Sequence, residues 1–303
     1  MAPTLVIHPG PLGDVVLATP ALRALRRRHA GDKIVLAAQS PVGELMHVLG
    51  LVDVRLRFDL LGLDTLFVDG PFDARTQALA DAARLVCWFG SKDPTFAKRL
   101  VELVPNAIIA PPWVPDGLVW QHLLDTIGES VVAEDRQPVR VPARLVAEGR
   151  AALQAAGWDG TTPLLVVHPG ASGAGKRWPV DGFAAVLGRL RARVAVIVHE
   201  GPADGDPVRA LLPRLGTRAG VLANPTLPVL AGALSHARAF LGNDSGVSHL
   251  ASSVGARSVV LFTSGMRAWE PWSPRARALV VSTRGLYGGD VDAVAEALGR
   301  VLA

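Results

Sequence analysis

Short runs of valine, isoleucine and leucine alternate with helical patterns along the whole chain. These runs predict buried β-strands at residues 4–8, 33–38, 64–68, 84–88, 164–168, 193–198, 239–241 and 258–262. Nearly continuous apolar strands separated by amphipathic helices are typical of parallel sheets that helices cover on both faces. The pattern therefore predicts an α/β fold.

One strand-and-turn pattern occurs twice. Residues 6–13 read VIHPGPLG, and residues 166–173 read VVHPGASG. A repeat at about half the chain's length is too long for a solenoid unit and predicts two similar Rossmann-like domains. A polar segment with two prolines, residues 128–143, separates the halves. We therefore expect one domain at residues 1–140 and a second at residues 141–303.

Composition narrows the functional classes only slightly. Half of the residues are apolar and 19% are charged, which is the balance of a globular protein. The formal net charge of +4 gives a weak preference for anionic partners, and nothing in the charge pattern points to nucleic acid. The single cysteine, Cys87, fits a reducing compartment. Without a signal-peptide pattern or an apolar stretch of about 18 residues, the sequence predicts a cytoplasmic protein.

The loop after the first predicted strand carries candidate chemistry. Asp14 stands where a helix should begin, so it is either an N-cap or a general base at the carboxyl edge of the sheet. His8 precedes it at the end of the strand. Arg23 and Arg26 follow on one helical face, which either is solvated or contacts an anionic acceptor.

The glycine-rich loop at residues 170–179, GASGAGKRWP, predicts a diphosphate site. Its small residues let backbone amides approach phosphate oxygens, and Lys176 adds a positive charge. A P-loop NTPase is an alternative, but Arg177 stands where that motif needs the Ser or Thr that binds magnesium. Asp204 and Asp206 follow a later strand, and we interpret them as turn and cap residues rather than as metal ligands.

A third loop, residues 239–255, joins a strand to a helix. Asp244 or Ser245 caps the helix, Gly246 follows, and His249 lies one turn later on the same helical face. Free amides at the start of such a helix can hold an anion. This arrangement predicts contacts with a phosphate or a leaving group.

Four segments together resemble glycosyltransferase family 9, the ADP-heptose:lipopolysaccharide heptosyltransferases. They are LGDVVLATPALR at residues 12–23, KRWP at 176–179, EGPAD at 200–204 and LGNDSGVSHLA at 241–251. The resemblance spans nearly the whole chain and follows the family's order. It implies a GT-B architecture of two facing Rossmann-like domains, with the acceptor held by the first and the nucleotide sugar by the second.

The resemblance also implies a reaction and a set of site residues. It implies inverting transfer of a sugar, heptose, from an ADP-sugar without a metal or other cofactor, with Asp14 as the general base and Lys176 on the diphosphate. His8, Arg23 and Arg26 are weaker candidates for acceptor binding. The residues that it assigns to the nucleotide sugar are Ser172, Gly173, Lys176, Glu200, Asp244, Ser245, Gly246 and His249.

The expected partners are the nucleotide-sugar donor and an anionic glycolipid of the lipopolysaccharide inner-core type, with peripheral contact to the inner membrane. The chain departs from the family at residues 8–11, HPGP, where a basic residue and a serine-containing turn are usual. Three alternatives stay open: transfer of another sugar or to another acceptor, a P-loop-like NTPase, and a non-catalytic nucleotide-sugar-binding protein. Trp269 and Trp272 either line the sugar pocket or pack a loop.

Overall fold

The structure is a computed structural model that describes residues 3–190, 194–216 and 219–303. It divides into two compact units, Met1–Arg136 (unit 1) and Gln137–Ala303 (unit 2). The division falls inside the polar segment 128–143, slightly before the expected boundary at residue 140. Residue 193, the expected start of one strand, lies outside the described residues.

Unit 1 contains a five-stranded parallel sheet in the order β3-β2-β1-β4-β5. Its strands are β1 Thr4–Ile7, β2 Ile34–Ala38, β3 Val54–Arg57, β4 Arg84–Cys87 and β5 Ile108–Ile109. Its α-helices are α1 Leu12–Leu17, α2 Thr19–Arg28, α3 Ser40–Val48, α4 Ala74–Gln77, α5 Pro94–Leu103 and α6 Val119–Thr126. Helices connect parallel neighbours because such strands need a crossover.

Unit 2 contains a six-stranded parallel sheet in the order β8-β7-β6-β9-β10-β11. Its strands are β6 Leu164–His168, β7 Ala195–Glu200, β8 Ala219–Ala223, β9 Ala237–Asn243, β10 Arg257–Phe262 and β11 Ala276–Val280. Its α-helices are α7 Ala143–Ala155, α8 Val180–Gly188, α9 Gly205–Leu215, α10 Leu227–Leu234, α11 Gly246–Ser253 and α12 Gly288–Leu302.

The two copies of the sequence repeat occupy equivalent places in the two sheets. Strand β1 lies between β2 and β4, and β6 lies between β7 and β9. Counted from the start of each unit, both strand orders follow the Rossmann pattern, in which the order of strands reverses beside the first strand. The α/β class and the two Rossmann-like sheets predicted from the sequence are confirmed.

Burial explains why these strands form. Every residue of β1, β2 and β6 is buried, and their Val, Leu and Ile side chains form the two cores with the covering helices. Removing such side chains from water contributes about 25 cal/mol for each Å² of apolar surface. In unit 2 the buried rings of Trp178 and Phe183 pack in a T-shaped pair, with centroids 5.3 Å apart.

The expected strand at residues 64–68 is wrong. The chain forms a 3₁₀ helix there, Leu63–Phe67, after Gly62 adopts a φ of +67°. The buried residues of this segment, Leu63 and Leu66, are three positions apart, which fits the period of a 3₁₀ helix rather than that of a strand. The Thr65 hydroxyl adds a hydrogen bond to the Gly62 carbonyl oxygen, 2.8 Å away.

The sequence did not predict strands β3, β5, β8 and β11. Each lies at an edge of its sheet, and only one of their residues, Leu222 of β8, is buried. Edge strands therefore lack the continuous apolar pattern by which the central strands were recognised. No helix in the described part of the chain is long and apolar enough to cross a membrane.

Two glycines allow α7 and α10 to pack closely. A Cβ atom on Gly149 of α7 would lie 2.1 Å from the Ala233 backbone nitrogen. A Cβ atom on Gly232 of α10 would lie 1.9 Å from the Leu145 carbonyl oxygen. Neither distance is possible without moving backbone, so this helix pair depends on both glycines.

We predict that Gly149→Ala lowers the free energy of unfolding by about 3 kcal/mol, because the new methyl group forces the helices apart. The matched control is Gly299→Ala in α12, where a Cβ atom meets nothing within 4 Å. The control should gain about 0.5–1 kcal/mol from helix propensity. Urea unfolding followed by circular dichroism measures both, and equal stability of the two variants would contradict the packing account.

Candidate donor and acceptor sites

The carboxyl ends of β6 and β9 lie side by side in unit 2, where Val167 pairs with Leu241 and His168 with Gly242. The strand order reverses at this point, and open α/β sheets bind ligands outside the strand ends at such a reversal. The loops after β6 and β9 are the two that the sequence assigned to the diphosphate.

Asn243 joins these two loops. Its side chain is fully buried. Its Nδ2 donates to the Pro169 carbonyl oxygen at 2.8 Å, and its Oδ1 accepts from the Trp178 backbone N–H at 3.0 Å. The Ser248 hydroxyl donates to the Asn243 carbonyl oxygen at 2.5 Å. Both ends of the glycine-rich loop are therefore fixed to the start of α11.

Lys176, Asp244 and His249 form one cluster at this edge. Lys176 ends a 3₁₀ turn, Ala174–Lys176, and its Nζ donates to Asp244 Oδ2 at 2.8 Å. The His249 Nε2 lies 3.6 Å from Asp244 Oδ1. The Asp244 side chain is 4% exposed and that of Lys176 is 29% exposed, so the lysine forms the solvent-facing side of the cluster.

Opposing effects act on the Asp244 carboxyl group. Burial alone would raise its pKa, but the hydrogen bond and charge of His249 and those of Lys176 outweigh burial, so the pKa lies below its ordinary value. Asp244 is therefore ionised at neutral pH. It balances the lysine charge in a site that is largely removed from water.

Ser245 is the N-cap of α11. Its hydroxyl accepts from the Ser248 backbone N–H at 3.3 Å, and Gly246 begins the helix. The sequence left open whether Asp244 or Ser245 caps this helix, and the structure assigns the cap to Ser245. Ser245 and Gly246 are both half-buried. Because they directly follow Asp244, the first amides of the helix border the Lys176 cluster. An anion is favoured at such a helix start.

The remaining predicted donor residues lie at the same edge of the sheet. Ser172 is exposed and Gly173 half-buried in the loop after β6. Glu200 is the last residue of β7, the strand beside β6. The structure thus places every unit 2 residue that the resemblance assigned to the nucleotide sugar at the carboxyl edge of three adjacent strands.

The glycine-rich loop does not have P-loop geometry. In a P-loop the lysine and the following Ser or Thr open the helix, whereas α8 begins at Val180 after an N-cap at Pro179. The Arg177 guanidinium instead donates twice to the Ala171 carbonyl oxygen, at 3.3 and 3.1 Å, and closes the loop on itself.

Three buried side chains beside the loop form a cluster that the sequence did not predict. Ligand atoms of His168, His199 and Asp204 lie within 4.8 Å of one another, and the two Nδ1 atoms are 3.0 Å apart. Burial lowers the pKa of both imidazoles, that of His199 to about 3, so both rings are neutral at neutral pH. Two neutral imidazoles and a carboxylate are ligands that zinc and similar divalent metals accept.

Asp204 also has a structural task in this cluster. It is the N-cap residue of α9, and its Oδ2 accepts from the Gly201 backbone N–H at 3.0 Å. Asp206 forms an exposed ion pair with Arg209. The Asp204 bond to Gly201 is a turn contact, as the sequence predicted, but the Asp204 side chain makes no capping hydrogen bond to α9.

A second site lies in unit 1, at the equivalent reversal between β1 and β4. The loops after these strands and after β5, together with Phe67, border an open cavity of about 470 Å³. Its lining residues are His8, Pro9, Gly10, Asp14, Phe67, Trp88, Phe89, Gly90, Ser91, Lys92, Asp93, Pro111, Pro112 and Trp113. A cavity of this size fits a small organic ligand.

His8 and Asp14 adjoin each other in this cavity. A Cβ atom on Gly10 would lie 2.9 Å from His8 Cε1 and 3.1 Å from Asp14 Cβ, so the loop can pass between them only as glycine. Burial lowers the pKa of His8 to about 4, against an opposing hydrogen bond to the Asp14 backbone. The buried His8 Nε2 has no hydrogen-bond partner among the described residues.

One interpretation of the sequence made Asp14 an N-cap, and the structure shows that it is not one. The cap position of α1 belongs to Pro11, and Asp14 lies in the first turn of the helix, half-buried at the cavity. The expected acceptor residues Arg23 and Arg26 do not line this cavity. Arg23 donates to the Asp135 carbonyl oxygen at 2.9 Å, and Arg26 pairs with Asp53 at 3.1 Å.

The two tryptophans that the sequence left open differ in burial. Trp272 is 1% exposed, which is typical of a packing role. Trp269 is half-buried at the end of a 3₁₀ turn, Arg267–Trp269.

The chain is similar to a known protein family and to several solved structures. A family profile described as glycosyltransferase family 9 (heptosyltransferase) matches residues 135–287, which include the Lys176, Asp244 and His249 cluster. No curated protein sequence matches the chain.

Solved structures share the fold over nearly the whole chain. ADP-heptose lps heptosyltransferase II of E. coli has a TM-score of 0.75 at 18% identity, covering 99% of this chain and 98% of the other. A family 9 glycosyl transferase from Veillonella parvula has a TM-score of 0.76 at 18% identity, covering 99% and 97%. E. coli heptosyltransferase WaaC with ADP has a TM-score of 0.69 at 14% identity, covering 98% and 99%.

We predict that Asp244→Asn lowers the free energy of unfolding by about 1–3 kcal/mol at pH 7. The substitution removes a buried carboxylate that contacts both Lys176 and His249. A group with a lowered folded-state pKa stabilises the fold above its unfolded pKa, and this stabilisation disappears as the pH falls through the folded pKa. The difference between wild type and variant should therefore be constant near neutral pH and shrink below about pH 4.

Denaturant unfolding of wild type and Asp244→Asn at several pH values measures this difference. Asp292→Asn is the control, since its ion pair with Arg189 is exposed. A difference that grows as the solution is acidified would contradict the assigned direction of the Asp244 pKa.

Proposed function

The chain belongs to glycosyltransferase family 9, and we propose that it transfers a sugar, heptose, from an ADP-sugar to an acceptor hydroxyl with inversion and without a metal. One observation carries the proposal. The cation of Lys176 and the first amides of α11 border one site at the strand-order reversal of unit 2. Such a site suits a diphosphate.

The cluster supports binding of the donor. The Lys176 ammonium has three N–H donors, and one of them is used by Asp244. A diphosphate oxygen would accept from another, while Asp244 keeps the ammonium in position. Asn243 holds the loop that carries Lys176, so little conformational entropy is lost when the donor binds. The structure of E. coli heptosyltransferase WaaC was solved with ADP. We propose that this chain binds the same nucleotide.

Asp14 is the proposed general base. The acceptor oxygen attacks the anomeric carbon from the face opposite the diphosphate, and its proton passes to the Asp14 carboxylate. The bond from the anomeric carbon to the diphosphate oxygen breaks, and its electron pair leaves with ADP. Charge on the departing diphosphate is stabilised by Lys176 and by the amides at Ser245 and Gly246.

Metal independence is part of the proposal. The positive charge that a metal would supply to the leaving group comes here from Lys176 and the start of α11. The His168, His199 and Asp204 cluster is the observation that favours the opposite outcome. A chelator therefore tests this point: transfer should continue at the same rate in EDTA.

The acceptor that the resemblance implies is a lipopolysaccharide inner-core-type glycolipid at the inner membrane. Transfer of another sugar, or transfer to a protein or small glycan, is the alternative within the family. A non-catalytic nucleotide-sugar-binding protein would use Lys176 but would not depend on Asp14.

We predict that Lys176→Ala reduces turnover about a hundredfold or more and weakens ADP binding, since a charged contact to the leaving group is lost. Lys98→Ala is the matched control. Lys98 is exposed on α5, and its ion pair with Glu102 is long, at 3.9 Å. ADP release measures turnover and calorimetry measures ADP binding. Near-normal turnover of Lys176→Ala would contradict its role.

Asp14→Asn should bind ADP as the wild type does and lose at least about a hundredfold in transfer, because an amide cannot accept the proton. The control is Asp206→Asn, an exposed residue of α9. ADP release from ADP-heptose with a lipid A-type or glycan acceptor reports transfer. Equal losses of ADP binding and transfer would indicate a structural role for Asp14 instead.

A further inference from the structure

A second cavity of unit 1 adjoins the cavity around Asp14. The second has a volume of about 690 Å³, and both are lined by Phe67 and Phe89. The linings of the two cavities meet at these two rings, and together they form one surface of unit 1.

Carboxylates outnumber cations on this surface. Asp14, Asp93 and Lys92 line the first cavity, and Asp59, Asp64 and Arg75 line the second. Both cations have partners, and so do two of the carboxylates: Asp59 pairs with Arg57 at 2.5 Å, and Asp93 accepts from the Phe96 backbone N–H at 2.9 Å. The Lys92 Nζ lies 5.8 Å from the centroid of the Trp113 ring, and Arg75 pairs with Asp73 at 2.9 Å.

Such a surface is poorly suited to a phosphate-rich ligand. Sites for phosphates and carboxylates usually contain arginines, whose planar guanidinium binds two oxygens at once. The chain is rich in arginine, yet Arg75 is the one arginine among the described lining residues. His8 adds no charge at neutral pH, because burial holds its pKa at about 4. A polyanion would meet more like charge than opposite charge.

Aromatic rings form the rest of the surface. Phe67 is 38% exposed and Trp113 is 40% exposed. Phe89 holds Phe67 in a T-shaped contact with ring centroids 5.9 Å apart, and Phe96 supports both rings from the core. Gly90, with a φ of +70°, lets the chain pass the Phe96 ring, from which a Cβ atom would be only 2.5 Å away. Phe67 is therefore held firmly in place.

We propose that this surface binds the acceptor as an uncharged glycan. The apolar faces of its sugar rings lie on Phe67, Phe89 and Trp113, and the hydroxyl to be modified lies at Asp14. Sugar rings expose C–H groups on one face and hydroxyls at the edge, which matches aromatic rings beside carboxylate acceptors. The inference rests on the proposed function, since it takes Asp14 to be the base.

A glycan array with matched uncharged, phosphorylated and uronic-acid-containing oligosaccharides tests the proposal on the full-length protein. We expect binding to uncharged members that changes little with salt, because no ion pair is involved. Trp113→Ala should weaken this binding about tenfold or more through loss of the exposed ring. Lys98→Ala, an exposed residue of α5 outside both cavity linings, is the matched control and should change it less than about twofold.

Preference for the phosphorylated members, with binding lost in Lys92→Ala or at high salt, would overturn the proposal. So would the absence of binding to any uncharged member, or unchanged binding by Trp113→Ala. Calorimetry with ADP on the same samples distinguishes failure of the uncharged-glycan proposal from failure of the proposed transferase function. ADP binding together with a phosphorylated acceptor leaves the proposed function standing, whereas absence of ADP binding removes the proposed function itself.

Discussion

The donor site of unit 2 depends on one buried amide. Asn243 accepts from Trp178 and donates to Pro169, and so fixes both ends of the loop that carries Lys176. Neither bond can be replaced by water inside the core, so loss of either leaves a buried polar group unsatisfied. The same residue is the last of β9, directly before Asp244. The strand end, the loop and the start of α11 are thereby held together around the charged cluster.

The central strands of both sheets could be predicted from the sequence because their side chains are buried. The strands at 4–8 and 164–168 carry continuous apolar residues and end in the same HPG turn, and the structure confirms that they are equivalent strands of two sheets. The grouping of Asp244, Ser245 and His249 also followed from spacing, since a cap and a residue one turn later share a helical face. Their contact with Lys176 required the pairing of β6 with β9.

Other features had no signal in the sequence. Asn243 resembles any polar residue at a strand end, and its role appears only once two loops meet. His168 and His199 lie far apart in the chain and become neighbours because β6 and β7 pair in parallel. The aromatic surface in unit 1 draws Phe67 and Trp113 from segments whose patterns are irregular. The resemblance implies an anionic acceptor, whereas the carboxylate-rich surface around Asp14 favours an uncharged one.

Thermal unfolding of the protein with ADP in EDTA tests the central claim, which is that the Lys176 cluster binds the diphosphate of an ADP-sugar without a metal. A ligand at a hundred times its dissociation constant adds about 2.7 kcal/mol to the free energy of unfolding. The account predicts a rise in melting temperature with ADP that is equal in EDTA and in magnesium. Stabilisation by ATP alone, and only with magnesium, would contradict it.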